Sequence, residues 1–199
     1  MAFSAIAAVS SQGATLATFD FTGESLSSSA APITGITVST VSSGSTFNTF
    51  TSATGFNSAA QISGASDFFS GPTTQAVAGN ALVFTITADP GYEFTLDGFS
   101  FIARSTAQAP ADIGFKIGSN SYDFSSSYSS NSTITTISNQ SLGLTGLTSA
   151  TISIQAWNAT GSSALQLDNL VATGTVIPEP SAALIGGLGL LALLRRRRR

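Results

Sequence analysis

From Ala14 to Val176 the apolar residues of this chain recur at every second position rather than every 3.6, and the alternating stretches are bounded by Gly, Asn, Ser and Pro. Successive side chains point to opposite faces of a β-strand but gather on one side of a helix at intervals of three and four. The pattern therefore fits strands with one buried face. The clearest segments are Leu82, Phe84 and Ile86; Tyr92, Phe94 and Leu96; Phe99, Phe101 and Ala103; Ile113, Phe115 and Ile117; and Ile152, Ile154 and Ala156. The sets on either side of Asp97-Gly98 have opposite phase, which predicts a bulge or turn there. Lys116 to Asp123 reads as a hairpin around Gly118-Ser119-Asn120. Further strands are expected near Thr15 to Phe21, Ile33 to Val41, Thr46 to Phe50, Ile134 to Ile137 and Leu165 to Thr173. The Ser/Thr-rich tract Tyr122 to Asn139 reads as an edge strand or a mobile loop. About ten short strands with no internal helix predict an all-β fold, a single jelly-roll-like β-sandwich. A membrane barrel would need an outer apolar band, whereas one face of nearly every strand here is rich in Ser and Thr.

Composition narrows the chemistry. The 199 residues include no Cys and no His, so His- or thiol-based nucleophilic machinery, His or thiolate metal sites, haem attachment and disulfides are excluded. Carboxylate pairs, oxygen-ligand cation sites and binding without catalysis remain. Only 9% of the chain is charged, against about 25% in average domains, so Ser, Thr, Asn and Gly must cover much of the surface. Five of the seven basic residues are Arg195 to Arg199, and residues 1–177 carry nine carboxylates against Arg104 and Lys116, a net charge of −7. That balance argues against nucleic acid, whose phosphates are bound by clustered Lys and Arg. The body, roughly 160 residues, is enough for one core but not for two full domains.

The remaining polar residues offer few sites. A glycosidase would need two carboxyl groups about 5–5.5 Å or 6.5–9.5 Å apart. Glu93 and Asp97, four residues apart in one strand, would lie about 13 Å apart and fail as a local pair. A pair formed across the fold, such as Asp112 with Asp123, is open to an enzyme reading. Lys116 has no Ser three residues before it, so a Ser-x-x-Lys nucleophile is absent. Asp168-Asn169 interrupts the last long strand where the apolar phase changes from Leu165 and Leu167 to Leu170. Two oxygen-bearing side chains at a bulge are a candidate Ca²⁺ site, and the plainer reading is that Asp168 caps a turn or hydrogen-bonds nearby backbone. Trp157, the only Trp, is a candidate platform for stacking on a sugar ring or a cover for the edge of the sandwich.

The C-terminus is the most specific stretch. Ile177 is followed by Pro178-Glu179-Pro180, then by the 14 uncharged residues Ser181 to Leu194, then by Arg195, Arg196, Arg197, Arg198 and Arg199. As a helix the uncharged segment would be roughly 21 Å long, short of a hydrocarbon core of about 30 Å. With snorkelling arginines and small-xxx-small spacing (Ala182 to Gly186, Ala183 to Gly187), it suits transient spanning. The positive-inside rule keeps the arginines in the cytoplasm and places the body outside. Residues 1–14 offer a short apolar run and small residues suited to cleavage near Gly13 or Ala14, but no basic n-region. They read as the second half of a signal peptide whose start lies upstream of Met1, or as a disordered or strand-like N-terminus.

In these three ordered parts the tail resembles the PEP-CTERM sorting signal of Gram-negative, exopolysaccharide-producing bacteria. The resemblance implies an exosortase, a membrane cysteine transpeptidase that cuts near the tripeptide and hands the protein to the cell surface or matrix. Tyr92 to Phe101, Leu144-Thr145-Gly146-Leu147 and Leu167 to Gly174 resemble strand phrases of PEP-CTERM surface proteins, which belong to jelly-roll modules. In such modules a last-strand Asp often binds calcium, and the same sandwich carries carbohydrate-binding modules. The expected division is a signal remnant over 1–14, a sandwich over 15–176 and the sorting signal over 177–199. The expected function is an exported, non-enzymatic surface or matrix protein without a cofactor, held transiently in the inner membrane. A carbohydrate-binding module for exopolysaccharide is the first alternative, and a carboxylate-dependent glycoside hydrolase the second.

Overall fold

A computed structural model describes residues 13–22, 25–43, 60–63, 81–105, 110–124, 135–159 and 164–179. These residues form β1 (Ala14–Phe19), β2 (Ile36–Val38), β3 (Ser42–Ser43), β4 (Ala60–Ser63), β5 (Leu82–Ala88), β6 (Tyr92–Ser105), β7 (Pro110–Ile117), β8 (Asn120–Asp123), β9 (Thr135–Leu147), β10 (Ser149–Ala159), β11 (Ala164–Gly174) and β12 (Val176–Pro178). They make two six-stranded sheets in which every pairing is antiparallel. In the first sheet β6 lies between β9 and the β11–β12 run, and β1 and β4 pair with β11. The second has the order β2-β5-β10-β7-β8, with β3 also on β5. The all-β, antiparallel expectation therefore holds, and no helix of the described residues is long and apolar enough to cross a membrane.

Alternation decides which face is buried. Leu82, Phe84 and Ile86 of β5, Ile113, Phe115 and Ile117 of β7, and Ile152 and Ile154 of β10 turn inward. They meet Phe94, Leu96, Phe99 and Phe101 of β6, Leu167, Leu170 and Ala172 of β11, and Leu16 and Phe19 of β1 in one apolar cluster. Rings join the layers: Phe19 lies 4.8 Å from Phe84, and Phe99 lies 6.1 Å from Phe84 and 4.8 Å, edge-on, from Phe115. The opposite face of the second sheet is polar, and there the Thr85 and Thr151 hydroxyls of adjacent strands share a 2.9 Å hydrogen bond.

The phase change at Asp97-Gly98 does not end the strand; β6 runs straight through it. Between Asp168↔Ile102 and Val171↔Ser100, β11 carries one extra residue. Between Thr173↔Gly98 and Val176↔Phe94, β6 carries one in return. Each bulge moves the inward face by one position, so Leu96 and Phe99, and likewise Leu167 and Leu170, are all fully buried. The hairpin expected over Lys116 to Asp123 is present as β7–β8, with Lys116 opposite Ser121 and Ile117 opposite Asn120. Two sheet-edge strands, β8 and β9, flank the Ser/Thr tract, whose residues 125–134 lie outside the described residues, as do Thr46 to Phe50. β12 runs across the expected boundary at residue 176 and takes Ile177 and Pro178 into the sheet. Residues 1–12 and 180–199, with the expected tail helix, lie outside the described residues.

Candidate functional site

The last described strand, β12, meets the β5–β6 turn in one joint. Asp89-Pro90-Gly91-Tyr92 closes with the Tyr92 N–H donating to the Asp89 carbonyl at 3.0 Å, and Gly91 has φ +84°. Pro and then a left-handed Gly at the two central positions are what a type II turn requires. The Asp89 N–H donates to the Gly35 carbonyl at 2.9 Å, which ties the turn to the loop before β2. Opposite it, Val176 pairs with Phe94, Ile177 with Glu93 and Pro178 with Tyr92. The Thr95 N–H donates to the Thr175 carbonyl at 2.8 Å, and the Thr175 N–H donates to Thr95 Oγ1 at 3.0 Å. Last, the Glu179 N–H donates to the Gly91 carbonyl at 2.8 Å. Two residues of the tripeptide, Pro178 and Glu179, are thus bound to the folded body.

Gly174 fixes where this arm begins. A Cβ there would run into the Thr95 carbonyl and come within 2.8 Å of Leu16 Cδ1, so only glycine lets β11 cross so close to β6. Beside the arm lies an open groove of ≈ 440 Å³, lined mainly by Ile33, Tyr92, Val176 and Pro178. Ile177 is exposed at 41%, the one large hydrophobic among the described residues turned so far to solvent.

The second candidate is the bulge in β11. Asn169 adopts φ +48°, and its N–H donates to Asp168 Oδ1 at 2.7 Å. That is the local backbone bond of the plainer reading. β1 ends with Phe19 opposite Leu170, which brings Asp20 near Asp168. Asp20 is itself held by the Thr22 N–H, donated to its Oδ1 at 3.0 Å. Burial, the largest cause, lifts the half-buried Asp168 carboxyl above its ordinary value. The Asn169 N–H opposes the rise and the Asp20 charge adds to it. The Thr22 N–H is the main reason that Asp20 is lowered. Asp20, Asp168 and Asn169 fall short of the about 6–8 oxygens that Ca²⁺ takes, so backbone or water would have to supply the rest. Among the described residues no group of three or more acidic side chains is placed to hold a metal.

A carboxyl whose pKa is raised by folding leaves the folded state with more bound protons than the unfolded chain between the two pKa values. Stability therefore falls as pH rises through that window, and at neutral pH ionised Asp168 is a cost. Asp168→Asn keeps an acceptor for the Asn169 N–H and removes the charge. It is expected to raise the thermal midpoint at neutral pH by a shift that solvent screening holds within about 2–4 °C. The gain should vanish below the ordinary Asp range, about pH 3.9. Thermal melting across pH checks this. A calcium ligand would give the reverse sign, with chelator lowering the wild-type midpoint and the variant indifferent to it.

The other residues singled out are scattered. Glu93 and Asp97 share β6 with the bulge between them; Glu93 faces Ile177 of β12, and Asp97 is exposed, its Oδ2 beside Gly13. Asp123 lies opposite Gly114 on β7, two residues along from Asp112, at the edge of the second sheet. Trp157 pairs with Asp112 at the far end of β10, and its side chain lies outside the described part. Neither Asp20 nor the joint of Gly91, Thr95 and Gly174 stands out in the sequence. The clearest local signal is Asp89-Pro90-Gly91, a turn signature in the usual sense. No family model matches this chain, and no curated protein matches it.

Proposed function

We propose that the chain is an exported cell-surface or matrix protein of a Gram-negative bacterium, sorted by an exosortase-like membrane transpeptidase. In this reading a jelly-roll-like sandwich without catalytic activity is followed by a short C-terminal transmembrane helix. The observation that carries the reading is the order Pro178-Glu179-Pro180, uncharged Ser181 to Leu194, Arg195 to Arg199. A greasy stretch followed by five arginines has no use in a soluble helix and is what a membrane stop requires. Repeated crossing of the chain between the sheets, from β5 to β6 to β7 and from β8 to β9 to β10 to β11, supports the jelly-roll reading. The absence of His and Cys supports a non-catalytic body, and the acidic balance of that body disfavours nucleic acid. The precursor is held in the inner membrane and the processed body reaches the surface or matrix; exopolysaccharide is the partner that the alternative carbohydrate-binding reading would give it.

In an exosortase-bearing host, the body recovered from the cell surface is expected to have an intact mass lacking Arg195 to Arg199. In a host without the enzyme, the full-length chain should stay with the inner membrane. Wild-type protein at the surface with all five arginines attached would overturn the proposal. Binding and turnover on a glycan array would bring forward the carbohydrate-binding and hydrolase readings respectively.

A further inference from the structure

We infer that β12 is a latch: it holds the sorting tripeptide against the folded body and must peel away, from Thr175 onward, before the tripeptide is cut. The inference rests on the sorting reading above and concerns how that site is regulated. In the docked state Pro178 is paired with Tyr92 and the Glu179 N–H is bound to the Gly91 carbonyl, so the peptide plane is engaged on one edge. A transpeptidase thiol must add to the scissile carbonyl carbon. The peptide bond then breaks, the thiol proton leaves with the new amine of the arginine-bearing fragment, and the acyl group passes from sulfur to an acceptor amine or hydroxyl, whose proton goes to the sulfur as the C–S bond breaks and restores the thiol. The first step needs an extended peptide freed from neighbours within the enzyme's cleft.

Reach makes the same demand. Between the last bond to the body among the described residues, at Glu179, and the apolar segment that starts at Ser181 the sequence has only Pro180. Two extended residues span about 7 Å, so the docked body would sit against the membrane surface and exclude a membrane enzyme. Releasing Thr175 to Glu179 adds about 17 Å of extended chain. Peeling stops at Gly174 because that residue is wedged between Thr95 and Leu16.

The latch is also built to open. β12 is a three-residue strand whose Val176 is only half-buried, while the core beneath it, Phe94 and Leu96, belongs to β6 and stays in place. Short edge elements of this kind sit at the low end of local opening free energies. When opening is faster than cutting, the cutting rate follows the open population.

The test uses the full-length exported chain in an exosortase-bearing host. Glu93 and Ile177 face each other across the β6–β12 pairing and the chain has no other cysteine, so Glu93→Cys with Ile177→Cys creates a single reversible lock. The bridged protein is expected to stay uncut in the inner membrane, with cutting restored by dithiothreitol, whereas neither single variant, which cannot form the bridge, should respond to dithiothreitol. Thr95→Val, which removes the Oγ1 acceptor of the Thr175 N–H, is expected to speed cutting about fivefold, the factor that about 1 kcal/mol of lost hydrogen bond supplies. Bridged protein cut at the wild-type rate, or an unchanged rate for Thr95→Val, would overturn the latch and leave the sorting reading intact. Wild type left uncut in that host would overturn both.

Discussion

Phe99→Ala is expected to lower folding stability by about 3–5 kcal/mol, the cost of emptying a fully buried aromatic site. Phe99 is 0% exposed and touches three other rings: Phe101 at 5.7 Å on its own strand, and Phe84 and Phe115 on the facing sheet. Truncation removes apolar contact and the edge-on geometry with Phe115, which alone contributes about 0.5–1.5 kcal/mol. Backbone bonding to β9 and β11 on either side of β6 limits how far the site can collapse, so the cavity persists. At about 2–4 °C per kcal/mol for a chain of this size, the melting midpoint should drop by roughly 6–20 °C. Thr151→Ala is the contrast. It deletes an exposed hydroxyl pair with Thr85 and should stay within about 0.5 kcal/mol. Chemical denaturation of the two variants decides the matter. A Phe99→Ala cost below about 1 kcal/mol would mean that the sheets are not held together through this ring cluster.

Alternation was legible in the sequence because it is a local property. Leu82, Phe84 and Ile86 announce a strand with one buried face whatever that strand pairs with, and all three are buried. The opposed phases of Phe94-Leu96 and Phe99-Phe101 likewise announce a bulge. What the phases leave open is that β6 continues as one strand, because that depends on a second bulge, at Asp168-Asn169 in β11, offsetting the first. Two irregularities about 70 residues apart cancel only once the strands are side by side, and no local pattern carries that information. The buried Phe21 is similar. Its φ of +51° is unusual for an aromatic residue and is set by the end of β1 and the Asp20–Thr22 bond, not by any turn signature.

The candidate sites divide in the same way. Asp168 was legible as an interruption of an apolar phase, and the structure adds the bond from the Asn169 N–H that the plainer reading requires. Asp20 was not legible as its neighbour, since the β1–β11 pairing that brings them together spans most of the chain. The tripeptide was legible by composition and order. Its attachment to Gly91 and Tyr92 was not, because pairing between β6 and β12 is a contact between residues more than 80 apart in sequence. Val176-Ile177-Pro178 does carry a faint signal, an apolar pair ending in the Pro that sheets tolerate at their edges.

Deleting Arg195 to Arg199 and replacing Pro178-Glu179-Pro180 with three alanines are expected to fail in opposite compartments. The uncharged segment of 14 residues is roughly 21 Å long as a helix, too short to resist translocation by apolar length alone against a core of about 30 Å. On the proposed sorting reading the stop must therefore come largely from the arginines, each of which costs about 2.5–3.5 kcal/mol at the centre of a membrane helix. Without them the chain should slip through, and uncut protein should be recovered outside the inner membrane. The alanine variant keeps both the apolar segment and the basic stop, so it should halt in the membrane as wild type does. Lacking the residues that the proposal has the enzyme read, it should then remain there uncut. Its β12 keeps its attachment, since the N–H at position 179 that is donated to the Gly91 carbonyl is a backbone group that alanine retains, and Val176 and Ile177 keep their partners on β6. Loss of cutting while these bonds remain would separate recognition of the tripeptide from access to it. Fractionation with intact mass reads both variants in an exosortase-bearing host. Retention of the arginine-deleted chain in the membrane would show that the apolar segment holds by itself, and release of a cut alanine variant would show that the tripeptide is not what the enzyme reads.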